Sequence, residues 1–240
     1  MSSEDARRLL IIQFGDYAEG ARRLAGGGAE NYLGQRYTVD YVAELAAGGT
    51  PVRVIAIGQD AALERLPSGV EATGIQLYRR ARFHRPPVRD LIRMAADWRP
   101  SHLLLQVPLT PVIRWAVNDR VATLPLLADS FRATGIRRRL EYRRLATALN
   151  HPAIRWIANH GPNACVDLVR IGVDPRKVLP FDWPSFDSPS RWPAKGAPTN
   201  PRAIRLTYVG QIIASKGVGD LIDAIAIART QGEDYRAVLV

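Results

Sequence analysis

The chain has 240 residues, 47% of them apolar, a formal charge of +10 and a single cysteine. That length suits one large domain or one domain with part of another, and no apolar run reaches the roughly 18–20 residues of a membrane span. Cys165 has no partner for an intramolecular disulfide or a cysteine-based zinc site, which fits a reducing cytoplasm and a chain that is cytoplasmic or peripheral to a membrane. Lys177, Lys195 and Lys216 are its only lysines among 33 basic residues. The arginine excess reflects either a GC-rich genome or a surface that attracts anionic partners.

In chain order, "RLLIIQF" (8–14) is a short continuous apolar run, the pattern of a buried parallel strand, and not a signal peptide, because no small-residue cleavage site follows it. A loop is expected next, then a helix over 26–49 that opens at "GGGAEN" and ends at Gly48 and Gly49. Strands are expected at 51–58 and in "GIQLYRR" (74–80), followed by a helix in "PVRDLIRMAADW" stopped by Pro100. Then come "HLLLQVPL" as strand, "PVIRWAVNDRV" as helix, "TLPLLADSF" as strand and the basic helix "GIRRRLEYRRLATALN". The strand "AIRWIANHG", the helix "PNACVDLVRIG" and the short strand "KVLPFDW" complete the series. Such alternation predicts an α/β fold, a Rossmann-like doubly wound parallel sheet with ligands beyond the carboxyl ends of its strands. Residues 184–201 hold five prolines and read as a linker between a first domain at 1–183 and a second over 202–240. That second stretch shows one strand–helix–strand unit, "AIRLTYVG" to "YRAVLV".

The stretch "YVGQIIASKGVGDLIDAI" resembles the start of the donor domain of family-4 glycosyltransferases, which usually reads "vGR-(four residues)-KG-x-x-x-L-(i/l)-x-A". "GGGAEN" and "GVDPRKVLPFDWPSFD" are similar to the family's glycine loop and to the passage that closes its first domain. The resemblance implies the GT-B fold, here an N-terminal Rossmann-like domain followed by an incomplete second one. It also implies retaining transfer of a sugar from a nucleotide-diphosphate sugar, with no cofactor and no bound metal. The family's donor domain continues with a Glu-x7-Glu motif, so the expectation is a truncated piece of a longer enzyme, with little activity by itself.

In that light Lys216 is expected to stabilise the leaving diphosphate as its charge grows, with Gly210 and Gly217 letting the backbone approach and Gln211 standing where the family has arginine. The alternative for Lys216 is an exposed lysine in an ordinary strand-to-helix turn. Gly26, Gly27, Gly28 and Glu30 are expected at a helix N-terminus as an acceptor or phosphate loop, or else as a flexible loop with Glu30 serving the helix start. Asp129, with Ser130, ends a strand where the family often carries a histidine contacting the sugar; the pair either binds a sugar hydroxyl or caps a helix. His160 lies at another strand end, as a cleft residue or a structural one.

Helix 135–149 carries five arginines beside Ile136, Leu140, Leu145 and Leu149, which fits either an anionic membrane surface or a solvated helix packed on the sheet. The expected partners are a nucleotide sugar and a glycan, lipid-linked or small-molecule acceptor, as in polysaccharide biosynthesis. The competing reading is a catalytically silent glycan- or partner-binding module. Nucleic-acid binding ranks last, because basic and aromatic residues do not interleave.

Overall fold

The computed structural model describes residues 7–239 except 33, 81–82, 86, 134, 182–189, 191, 195, 197–203, 211, 213 and 233–234. By its internal contacts the chain divides into two compact units, Met1–Ser185 and Phe186–Val240. Most of the expected linker, 184–201, lies outside the described residues. None of the helices among them is long and apolar enough to cross a membrane.

The first unit opens with β1 (Leu9–Phe14), whose Leu10, Ile11 and Ile12 are almost wholly buried. A strand apolar on both faces must be covered on both, as a central parallel strand is. Next come α1 (Tyr17–Ala25), α2 (Gln35–Ala47), β2 (Val52–Ile57), β3 (Glu64–Arg65) and β4 (Glu71–Ile75). A short hairpin of β5 (Tyr78–Arg80) and β6 (Phe83–Arg85) precedes α3 (Val88–Trp98). The rest alternates: β7 (His102–Leu105), α4 (Thr110–Asn118), β8 (Ala122–Leu127), α5 (Ile136–Leu149), β9 (Ile157–Asn159), α6 (Gly161–Arg170) and β10 (Val178–Pro180).

The sheet runs β10–β9–β8–β7–β1–β2–β4–β3, and every pairing is parallel except β3 with β4. The chain winds outward from β1 through β2 and β4, then returns to the other flank of β1 at β7. This is the expected doubly wound, Rossmann-like sheet, with its switch point between β1 and β7. On one face Leu10, Ile12, Ile55, Leu103 and Leu105 pack with Leu91, Ile113, Leu149 and Leu168 from α3 to α6. On the other, Ile11, Val54 and Leu104 pack with Tyr17, Leu24, Val39 and Val42 from α1 and α2.

Two expectations are corrected. The strand expected at "GIQLYRR" is divided: Gly74 and Ile75 end β4, which starts earlier, at Glu71, and Tyr78–Arg80 form β5. A glutamate is tolerated at the start of β4 because Arg53 on neighbouring β2 binds it at 2.6 Å, leaving Ala72 free to face the core. The expected loop after β1 holds α1, begun by Asp16, whose side chain accepts a hydrogen bond from the Glu19 amide at 2.9 Å.

The second unit contains β11 (Ile204–Tyr208), a 3-10 turn over Ala214–Lys216, α7 (Val218–Thr230) and β12 (Tyr235–Leu239). β11 and β12 pair in parallel, Ile204 opposite Tyr235 and Tyr208 opposite Leu239.

Candidate functional site

A pocket of about 500 Å³ opens at the carboxyl edge of the first unit's sheet. Leu109 lines it from the turn between β7 and α4, Thr110 from the start of α4, Asp129 and Ser130 from the loop just after β8, and Arg138 and Tyr142 from α5. β8 delivers its two residues because Leu127 is anchored in the core with no exposed surface, after which the chain emerges at the edge. The emerging loop is then pinned by Asn159, the fully buried last residue of β9. Its side-chain amide donates to the Asp129 carbonyl at 3.1 Å and to the Ala164 carbonyl at 3.0 Å. Its oxygen accepts from the His160 backbone N–H at 2.9 Å.

Thr110 is the first residue of α4, so that helix brings its positive end to the pocket wall. Tyr142 is held edge-on to Phe131, with ring centroids 5.5 Å apart, and the Arg138 guanidinium sits over the Tyr142 ring at 5.5 Å. Desolvation by the surrounding groups pushes the Asp129 carboxyl above the ordinary carboxylate range, and the positive charge of Arg138 opposes that shift. The pocket therefore offers an acceptor carboxylate, a hydroxyl, a cation and an aromatic ring. Among the described residues Asp129 caps no helix, the N-cap of α5 being Gly135.

The structure brings Asp129 and Ser130 together and leaves His160 outside their pocket. His160 is exposed at the N-cap of α6, and its backbone N–H donates to the Leu127 carbonyl at 3.2 Å.

The glycine loop is placed differently from expectation. Gly26, Gly27 and Gly28 do not open a helix; they close α1. Their N–H groups donate to the carbonyls of Arg22, Leu24 and Arg23 at 3.0, 3.2 and 2.8 Å, so they are already engaged at the negative end of a helix. Gly28 is required by packing, since a Cβ there would lie 2.9 Å from the Arg23 carbonyl oxygen and 2.6 Å from its Cγ. Glu30 serves the start of the next helix, its carboxylate accepting from the Arg36 N–H of α2 at 2.5 Å.

In the second unit, Lys216 is exposed at the end of the 3-10 turn and forms no hydrogen bond or ion pair among the described residues. Gly217 follows as the N-cap of α7 with φ of 71°, a backbone state that favours glycine, and Gly210 has φ of 150°. Gln211 lies outside the described residues. Asn159, Arg138 and Thr110 are contributions that residue-type reasoning passed over. A lone polar residue ending the apolar run "WIAN" was the available signal for Asn159, whereas Thr110 carried none.

No protein-family model and no curated protein matches the chain. Among solved structures it is similar to Anabaena Alr3699/HepE in complex with UDP-glucose, at 14% identity and a TM-score of 0.56, over 96% of this chain and 60% of that one. The same Anabaena protein in complex with UDP and glucose gives 14% identity and a TM-score of 0.53, over 97% and 60% of the two chains. A glycotransferase of kitacinnamycin is matched with 13% identity and a TM-score of 0.46, over 97% and 65%. The chain spans about 60% of the length of the Anabaena structures. What the likeness establishes is the fold, a Rossmann-like α/β arrangement of the GT-B kind.

Proposed function

We propose that the chain is a glycosyltransferase of the family-4 type that uses a nucleotide-diphosphate sugar and transfers the sugar, with retention, to a hydroxyl of a glycan, lipid-linked or small-molecule acceptor. The observation that carries this reading is the exposed ammonium of Lys216, without a partner among the described residues, immediately before Gly217 and the positive end of α7. As the bond between the anomeric carbon and the diphosphate oxygen breaks, its electron pair stays with the diphosphate. A cation beside a helix N-terminus stabilises that growing charge most in the transition state. Lys216 thus fills the place a divalent metal takes in other sugar transfers, and transfer is expected to persist in a chelator.

The acceptor oxygen forms the new bond to the anomeric carbon on the face the diphosphate leaves, and its proton passes to the departing diphosphate oxygen. In the first unit, Asp129 and Ser130 hold sugar hydroxyls by hydrogen bonds, and Tyr142 offers a ring for the apolar face of a sugar. The complexes of Anabaena Alr3699/HepE with UDP and UDP-glucose support the choice of donor class.

The test is calorimetric titration of this chain with UDP, UDP-glucose and other nucleotide sugars, against free uridine. Diphosphate-containing ligands are expected to bind more tightly than uridine, and Lys216→Gln to weaken them by at least ~10-fold, the worth of one hydrogen bond to a charged group. Equal affinity of the wild-type and Lys216→Gln chains for every ligand refutes the assignment.

A further inference from the structure

Outside the Asp129 pocket, a second groove of about 600 Å³ lies between α5 and α6. From α5 it is lined by Ile136, Arg139, Leu140 and Arg143, which are spaced i, i+3, i+4 and i+7 and so share one face of the helix. Arg132 and Arg170 flank this stripe. The opposite face of the helix is fixed in the core by Leu145 and Leu149, so the stripe is held outward by packing.

Two features separate the groove from an ordinary solvated surface. The first is unbalanced charge: Asp167 is the one carboxylate in the lining, and it is already bound by Arg170 at 2.9 Å and lies 3.7 Å from Arg132. Glu141, the acidic residue of α5, pairs instead with Arg137 and Arg138 at 3.4 and 3.6 Å. The guanidinium groups of Arg139 and Arg143 form no ion pair or hydrogen bond among the described residues. The second is exposed apolar surface interleaved with those cations, since Ile136 is 78% and Leu140 49% exposed. Each of the two readings of this helix therefore holds for one part of it: Leu145 and Leu149 pack in the core, while the exposed aliphatics Ile136 and Leu140 belong to its first turns.

We propose that this groove docks the protein on a bilayer surface containing anionic phospholipids. Arg132, Arg139, Arg143 and Arg170 take the lipid phosphates, while Ile136 and Leu140 enter the boundary between headgroups and acyl chains. Charge complementarity favours an anionic surface. Aliphatic side chains one turn from guanidiniums suit a boundary that is apolar below and charged above, where arginine stems lie along apolar surface and their heads reach phosphate. The inference is independent of the sugar-transfer reading, since it requires neither donor nor acceptor.

The experiment is co-sedimentation of the full chain with vesicles of phosphatidylcholine alone and of phosphatidylcholine with phosphatidylglycerol. Binding is expected only to the anionic vesicles and to weaken as salt rises. Arg139→Gln with Arg143→Gln is expected to lower partitioning roughly 30-fold, and Arg89→Gln, an exposed arginine on α3, to leave most of it. Ile136→Ser, an exposed substitution that the fold tolerates, is expected to weaken binding several-fold with no change of charge.

Equal binding to neutral vesicles, an Arg89→Gln loss as large as that of the double variant, or an Ile136→Ser chain that binds as tightly as wild type overturns the proposal. So does a melting temperature raised by inorganic phosphate in the wild type but not in the double variant, without vesicle binding; that result assigns the groove to a free phosphate.

Discussion

The two units use the same strand–helix–strand grammar and reach opposite degrees of burial. In the first, Leu10, Ile55 and Leu105 have no exposed surface, because helices lie on both faces of the sheet. In the second, Ile222 of α7 is 52% exposed, Ile227 60% and Val238 of β12 55%, and among the described residues only Val218 is buried. Yet "VGDLIDAIAIART" of α7 is at least as apolar as "VRDLIRMAADW" of α3. Apolar content therefore does not decide burial. What decides it is whether another layer is present to cover the face, which a two-stranded sheet with one helix does not supply.

That contrast can be broken most directly in the cores. Leu10→Ala is expected to cost about 2–5 kcal/mol in urea unfolding, whereas Ile227→Ala should change stability by no more than ~0.5 kcal/mol. Similar costs for the two would erase the distinction. Hydrogen exchange sharpens it without mutation: the amides of β1 and β7 should exchange far more slowly than those of β11 and β12. A smaller effect is expected from Asn159→Ala, about 1–3 kcal/mol in urea unfolding, because the Asp129 and Ala164 carbonyls lose their shared donor.

The smallest effects lie in acid, and they carry opposite signs. Asp129 has a raised folded value, so the folded chain holds that proton more tightly than the unfolded one. Its contribution falls as pH rises from the ordinary value of ~3.9 toward the raised one. Asp129→Asn should remove that fall, and a melting temperature at pH 7 below that of the wild type would contradict it. Asp174 is held down to about 2 by hydrogen bonds from the Arg176 side chain and amide. Its contribution is present above the ordinary value and is lost as pH falls toward about 2. Melting curves of Asp174→Asn between pH 2 and 5 should lack that loss.

Much of the sheet was legible because buried parallel strands are written as short apolar runs. "RLLIIQF" and "PVRVIAIG" appear in the structure within one residue of their expected ends. β4 was misread because the charge of Glu71 argues against a strand until Arg53, eighteen positions away, is seen beside it. α1 was missed because the glycines after it read as the start of a helix, when hydrogen bonding makes them the end of one. Of the candidate site, Asp129 and Ser130 were visible as polar residues closing an apolar strand. Arg138 was visible only as one charge among five.

The alternation of elements and the lysine–glycine turn that opens α7 could be read along the chain, because each depends on local periodicity or turn chemistry. Tertiary structure alone decided which polar residues share the Asp129 pocket, that Asn159 holds its loop, and that Ile136 and Leu140 face outward while Leu145 and Leu149 do not. Those facts depend on which strand lies beside which and which layer covers a helix, and such long-range pairings leave no local pattern along the chain.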